Sequence, residues 1–315
     1  MPAILLAITG IDPSPWEARL RALAPDRPIR RWPERVGAPA DIAYACAWQA
    51  PRGLLATLPH LRVIFSLGAG VDHLLTDPTL PAVPVVRIVD PDLTMRMTEY
   101  VVLHVLMHHR RQRQYDAQQR ERVWHEREQP PASAVAVGVM GLGVLGCAAA
   151  QALARLGFRT AGWSRTRKVL AGIQTFHGSD GLDAFLRRTE ILVCLLPSTP
   201  DTHGILRLDL LRKLERNGAA GGAYLINAGR GALQIDADIL AALDEGSLAA
   251  ATLDVFPTEP LPTASPMWTH QRVTITPHCA AYSDPGPLAA NILRQIHRLE
   301  AGQPLQHVVE RAVGY

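Results

Sequence analysis

The sequence predicts an α/β protein of two domains, each built around a parallel sheet, and three observations carry that prediction. Short, nearly continuous apolar runs recur along the 315 residues and alternate with polar or helical stretches, as strands buried on both faces do. One run, residues 134–140, breaks into Gly141-Leu142-Gly143-Val144-Leu145-Gly146 and continues as an alanine-rich helical pattern over 148–156. Five more runs follow, at 159–164, 191–196, 223–227, 251–255 and 273–276, completing the six strands of a doubly wound dinucleotide fold. We therefore expect two Rossmann-like or flavodoxin-like domains with a cofactor in the cleft between them. Residues 1–99 with 283–315 would form a discontinuous substrate-binding domain, and 100–282 the dinucleotide-binding domain.

Composition excludes several other classes. Hydrophobic residues make up 48% and charged residues 19%, which suits a chain with a sizeable core rather than a disordered one. The net charge of +3 is too small for a dedicated nucleic-acid surface. The four cysteines, Cys46, Cys147, Cys194 and Cys279, show neither CxxC nor Cys/His ligand spacing, so they read as buried, reduced core residues without a metal. The N-terminal run lacks a basic flank and cleavage site, and no run reaches membrane-spanning length, so a cytoplasmic protein is expected.

In the first domain the apolar runs lie at 3–8, 42–48, 63–67 and 83–89, with helical spacing at 16–23. The third run ends in Ser66-Leu67-Gly68-Ala69-Gly70-Val71-Asp72, where two glycines at the end of a strand would let backbone amides approach a ligand. An ordinary turn into a helix is the simpler alternative. Residues 93–127 read as one long helical stretch, apolar through Tyr100, Val101, Val102, Leu103, Val105, Leu106 and Met107. The cluster His108-His109-Arg110-Arg111-Gln112-Arg113 is followed by Asp116, Glu121, Glu126 and Glu128, which suggests a solvated face touching a second subunit. A last helix over 289–299 returns to the first domain.

In the second domain each glycine of the turn has a separate task. Gly141 permits the tight strand-to-helix turn, Gly143 leaves room for a pyrophosphate, and Gly146 lets the helix pack on the strand. The diphosphate would lie on the helix N-terminus. The next strand ends without the acidic residue that binds a ribose 2′-hydroxyl. It runs instead into Ser164-Arg165-Thr166-Arg167-Lys168, whose guanidinium forks suit a 2′-phosphate. NADP(H) is expected, with NAD(H) possible. The run at 191–196 continues into Leu196-Pro197-Ser198-Thr199-Pro200-Asp201-Thr202, a loop placed to cover the cofactor.

The last three strands end in chemistry. Asn227-Ala228-Gly229-Arg230-Gly231 offers a guanidinium for a carboxylate, the fifth strand runs through Asp254 to Glu259, and the sixth ends at Thr276-Pro277-His278. Reducing a carbonyl needs a hydride and a proton, and a histidine beside a carboxylate is poised to supply the proton near neutral pH.

Through these segments the sequence resembles the D-isomer-specific 2-hydroxyacid dehydrogenases over essentially its whole length, most closely their glyoxylate/hydroxypyruvate reductase group. The most specific likenesses are Leu67-Gly68-Ala69-Gly70-Val71-Asp72, Trp163-Ser164-Arg165-Thr166-Arg167-Lys168, Asn227-Ala228-Gly229-Arg230-Gly231, Leu253-Asp254-Val255-Phe256 with Glu259-Pro260-Leu261-Pro262, and Thr274-Ile275-Thr276-Pro277-His278. The ending Arg311-Ala312-Val313-Gly314-Tyr315 is also similar.

The resemblance implies NADPH-dependent reduction of a small 2-oxo acid, glyoxylate or hydroxypyruvate, to glycolate or glycerate. It makes Arg230 the carboxylate anchor, His278 the acid/base and Glu259 its partner. It assigns cofactor contacts to Gly141, Gly143, Val144, Leu145 and Gly146, to Ser164, Arg165, Thr166 and Arg167, to Leu196, Pro197, Thr202 and Ala228, and to Arg230, Asp254 and His278. Asp254 would orient the nicotinamide amide. Substrate contacts fall to Trp48, the backbone from Leu67 through Gly68, Ala69 and Gly70 to Val71, Arg230 and His278. A homodimer pairing through the nucleotide-binding domain is implied. Cys279 departs from the small aliphatic residue usual there and would make the site oxidation-sensitive. A larger 2-oxo acid is the alternative substrate, and a non-catalytic NAD(P)-sensing protein the alternative class.

Overall fold

The run Ala3–Ile8 forms β1, buried at every residue, because parallel neighbours cover both its edges while side chains fill both its faces. In this computed structural model, which describes residues 1–314, β1 belongs to a unit made of Met1–Leu93 and the chain from Tyr282 onward. Tyr315, the last residue of the similar ending, lies outside the described residues. Four more parallel strands complete the sheet: β2 (Ile29–Arg31), β3 (Ile42–Trp48), β4 (Val63–Ser66) and β5 (Val85–Val86), in the order β2-β1-β3-β4-β5. Helix α1 (Ser14–Leu23) has proline in its first turn, where a missing N–H costs nothing, and buries Trp16 and Leu20. Helix α2 (Asp72–Leu75) follows β4 directly.

The C-terminal helix, Pro285–Glu300, returns to this unit and packs on α1. Glu300 accepts two bonds from the Arg27 guanidinium, at 2.9 and 3.0 Å, and one from the Tyr44 hydroxyl at 2.8 Å. Beyond it, the Val309 amide donates to the Val85 carbonyl at 2.8 Å.

Residues Thr94–Ala281 form the second unit. Helix α3 (Pro91–His109) leads into it, followed by α4 (Gln112–Glu121), β6 (Ala136–Met140), α5 (Val144–Arg155), β7 (Arg159–Ser164), β8 (Gln174–His177), α6 (Gly178–Leu186), β9 (Ile191–Cys194), α7 (Leu208–Leu211), β10 (Tyr224–Asn227), α8 (Asp236–Asp244), β11 (Ala250–Leu253) and β12 (Val273–Ile275). All strands are parallel, in the order β12-β11-β10-β9-β6-β7-β8. Alternate residues of β9 enter opposite cores: Ile191 and Val193 join α3 and α5, whereas Leu192 and Cys194 join α6, α7 and α8. The chain order reverses between β6 and β9, and in such sheets ligands gather at the carboxyl side of that reversal.

The structure corrects several expectations. The second sheet has seven strands rather than six, because β8 is a half-exposed edge without an apolar run. The edge strand β2 was likewise absent from the sequence reading. The single helix expected over 93–127 is two, broken where Arg111 takes a left-handed conformation (φ 54°) without a glycine to mark it, and helix stops at Glu121. His108 and His109 are buried rather than solvated: His108 bonds the Thr252 hydroxyl at 3.0 Å and His109 packs edge-on against Phe158. All four cysteines are free, but only Cys46 and Cys194 are buried. Cys147 lies half-exposed in α5 and Cys279 exposed past the end of β12. No helix among the described residues is long and apolar enough to cross a membrane.

Candidate active site

The turn from β6 into α5 sets its three glycines in three different surroundings. Gly141 sits at φ 109°, and a side chain there would come within 2.7 Å of the Leu195 carbonyl. A Cβ on Gly146 would lie 1.7 Å from the Gly141 carbonyl, so only hydrogen fits. A Cβ on Gly143 would meet no atom within 4 Å. That open space lies at the first turn of the 12-residue helix α5, whose leading amides, Val144 and Leu145 among them, have no partners within the helix.

Neighbouring strand ends surround this turn. At the end of β7 the buried Ser164 donates its hydroxyl to the Thr166 carbonyl at 2.8 Å, and past it Arg165, Thr166, Arg167 and Lys168 are all exposed. Past β9, Leu196 is buried, and Thr202 ties the loop by donating to the Pro197 carbonyl at 2.7 Å and accepting the Thr199 amide at 2.9 Å. Ala228, buried past β10, donates its amide to the Cys194 carbonyl at 3.2 Å.

Arg230 follows on a short loop that its surroundings shape closely. Asn227 accepts the Gly229 amide at 3.1 Å and donates to the Arg230 carbonyl and to Gln234, at 3.3 and 2.8 Å. The Arg230 guanidinium donates one bond to the Gly229 carbonyl at 2.9 Å. Gly231 lies so close to Phe256 that a Cβ would fall 1.9 Å from its carbonyl carbon.

Glu259 and His278 meet beyond β11 and β12. His278 Nδ1 lies 2.7 Å from Glu259 Oε2, and Glu259 Oε1 accepts the Phe256 amide at 2.9 Å. Burial alone would raise the Glu259 carboxyl, but the bonds from His278 and Phe256, with the charges of His278 and Arg230, outweigh it and hold the group below the usual carboxylate range. An ionised carboxylate only accepts, so Nδ1 carries a proton and Nε2 is the ring nitrogen left for chemistry.

Asp254 is buried and braced. Its carboxylate accepts from the Thr276 hydroxyl at 2.6 Å and the amides of Cys279 and Ala280 at 2.9 and 3.0 Å, while its carbonyl accepts the His278 amide at 2.8 Å. Partial burial and the Asp254 charge push the Cys279 thiol up, which makes it less reactive than the sequence reading expects. Sequence reasoning missed the bracing by Asn227, Gln234 and Thr276. An Asn two residues before a glycine amide is an Asx-turn signal that could have flagged the first of them.

Within the first unit, Trp48 ends β3 and residues 67–70 follow β4, so adjacent strands present them. The indole lies over Gly68, where a Cβ would come within 2.5 Å of it, and 5.0 Å from the His73 ring. Leu67 is buried, and its amide donates to the Ala47 carbonyl at 3.0 Å. The Ser66 hydroxyl lies 3.2 and 2.9 Å from the carbonyls of Gly68 and Gly70. In a trans peptide the amide opposes its carbonyl, so the Ala69 and Val71 amides point away from Ser66.

The NAD binding domain of D-isomer specific 2-hydroxyacid dehydrogenases matches residues 102–280. A protein of Yersinia enterocolitica named glyoxylate/hydroxypyruvate reductase A is 42% identical over 306 residues, 95% of this chain and 96% of that one. The chain belongs to the D-isomer specific 2-hydroxyacid dehydrogenases. Among solved relatives of this dehydrogenase, an NADPH-dependent glyoxylate/hydroxypyruvate reductase from Sinorhizobium meliloti, in complex with NADP and sulfate, matches with a TM-score of 0.95 at 46% identity and covers 100% of both chains. A family member from Xanthobacter autotrophicus Py2, in complex with NADPH and MES, matches at 0.94 and 40% identity over 100% of this chain and 99% of that one. The open space at Gly143, the α5 N-terminus and the exposed cations past β7 fit a phosphorylated dinucleotide in this dehydrogenase.

Proposed function

We propose that this dehydrogenase uses NADPH to reduce glyoxylate, hydroxypyruvate or a similarly small 2-oxo acid to its 2-hydroxy acid. The observation that carries the reading is the 2.7 Å His278–Glu259 pair, whose members follow β12 and β11, the two strands that lie beyond β10 and its Arg230 in the sheet. NADPH, when bound, supplies the hydride. Arg230 holds the substrate carboxylate through its fork. His278 Nε2 passes a proton to the carbonyl oxygen while Glu259 favours the imidazolium until it donates.

The second unit binds the cofactor through Gly141, Gly143, Val144, Leu145, Gly146, the turn 164–167, Leu196, Pro197, Thr202, Ala228 and Asp254. Trp48 and the segment 67–71 contribute substrate contacts from the first. A homodimer through the second unit agrees with the exposed apolar Leu103, Val123 and Trp124, the last of them 103% exposed. Four free thiols agree with a reducing, cytoplasmic setting.

Loss of NADPH absorbance with glyoxylate, hydroxypyruvate and phenylpyruvate in turn tests the reading. Turnover of the two small acids, abolished in Arg230→Ala, is the expected result. Oxidation with phenylpyruvate alone would replace the substrate assignment, and oxidation with none would make the protein a cofactor-binding module.

A further inference from the structure

Helix α3 carries a polar row that the mechanism leaves unused. Tyr100, His104 and His108 recur every fourth residue, so they share one face, and all three are buried beside apolar Met97, Val101 and Val105. His108 bonds the hydroxyl of Thr252 on β11 at 3.0 Å, and the His104 and Tyr100 rings lie 4.2 Å apart. The Tyr100 hydroxyl lies 2.7 Å from Thr276 Oγ1, just past β12.

Donor and acceptor follow from chemistry. Thr276 has one hydroxyl proton, which goes to the Asp254 carboxylate at 2.6 Å, so Tyr100 must donate to Thr276. A directed chain results, from Tyr100 through Thr276 to the Asp254 carboxylate, which in turn holds the Cys279 and Ala280 amides directly after His278, while the Asp254 carbonyl holds the His278 amide. His278 itself sits at φ 53°, a left-handed conformation that a residue with a side chain keeps only when its surroundings over-determine it.

We propose that Tyr100 is a positioning residue for proton transfer: through Thr276 it orients Asp254, which keeps the His278 segment in its strained conformation facing Glu259. This rests on the reading of His278 as proton donor. Neither hydroxyl needs to touch substrate, so the role is felt in turnover rather than in the KM for the 2-oxo acid.

The test compares the full-length chain with Tyr100→Phe, Thr276→Val, Thr276→Ser, the Tyr100→Phe/Thr276→Val double variant and His278→Gln. The measurements are NADPH-dependent glyoxylate reduction across the neutral pH range, NADPH affinity by fluorescence, and Tm. Tyr100→Phe should lower kcat about tenfold, the effect of one lost hydrogen bond, with the KM for glyoxylate within about twofold of the parent. Thr276→Val should fall at least as far, the double variant no further than Thr276→Val, and Thr276→Ser should recover most of the turnover because it keeps the hydroxyl.

Parental kcat in Tyr100→Phe, additive losses in the double variant, or a Thr276→Ser enzyme as impaired as Thr276→Val would each overturn the proposal. So would a loss that merely tracks a fallen Tm. His278→Gln separates the two levels. Full activity there defeats the proton-donor reading itself, whereas an inactive His278→Gln beside a fully active Tyr100→Phe defeats only the role of Tyr100.

Discussion

His278 Nδ1 and Glu259 Oε2 stand 2.7 Å apart, and the backbone amide of Phe256 holds the other carboxylate oxygen at 2.9 Å. The carboxyl is fixed from both ends and stays charged below the usual carboxylate range, against the opposing effect of burial. Its contribution to folding is therefore present above the ordinary carboxylate value and is lost as pH falls through the lower folded value. Glu259→Gln should reduce kcat by about ten- to a hundredfold, because the ring loses the carboxylate that fixes its Nδ1 and faces its charge. Steady-state kinetics with glyoxylate check this, and a parental kcat refutes the pairing.

Two glycines of the same turn should fail in different ways. Gly146→Ala drives a Cβ into the Gly141 carbonyl, so it should cost roughly 1 to 3 kcal/mol and lower Tm. Gly143→Ala meets no protein atom within 4 Å, so Tm should hold while NADPH affinity drops. Thermal unfolding with and without NADPH distinguishes them, and equal behaviour would contradict the division of roles.

Arg165 and Arg167 stand exposed past the end of β7. Replacing both with alanine should raise the KM for NADPH about tenfold or more while leaving that for NADH nearly unchanged, since only NADPH carries the 2′-phosphate. The NADPH effect should shrink with added salt. Equal losses for both cofactors would mean that this turn does not read the phosphate.

Burial, with the nearby charges of His104 and Arg113, pushes the His108 imidazole down to about 3. Once unfolded, the same ring accepts a proton near its ordinary value of about 6.5. Between those two values the unfolded chain binds one proton more than the folded one, so stability drops as pH falls, by about 1.4 kcal/mol per pH unit. His108→Gln can still bond Thr252 but cannot titrate, and its Tm should decline less steeply below about pH 6.5. Parallel Tm curves for the two proteins would contradict a neutral buried imidazole.

Strands covered on both faces were legible because burial leaves an unbroken apolar run, as in Ala3–Ile8 and Ile191–Cys194. The edges β2 and β8 were not, since their half-exposed residues carry no such signature. The glycine turn and the Arg230, Glu259 and His278 positions were readable because each sits at a fixed offset from a strand end. The bond between Tyr100 and Thr276 spans 176 positions, and the burial of His108 depends on a threonine 144 positions away, so local patterning held no trace of either. A histidine-arginine cluster looks solvated until the fold turns its histidines inward.

The C-terminal helix closes the first unit by packing on α1 and anchoring Glu300 to Arg27 and Tyr44. On the ribosome, that closure waits until the chain has emerged through Glu300. The second unit is continuous in sequence and can assemble earlier, while the apolar face of α1 stays uncovered for the length of a full domain's synthesis. The discontinuous unit is therefore the stage at which a nascent chain is most exposed to aggregation and chaperone capture, and truncation within Pro285–Glu300 leaves it permanently there.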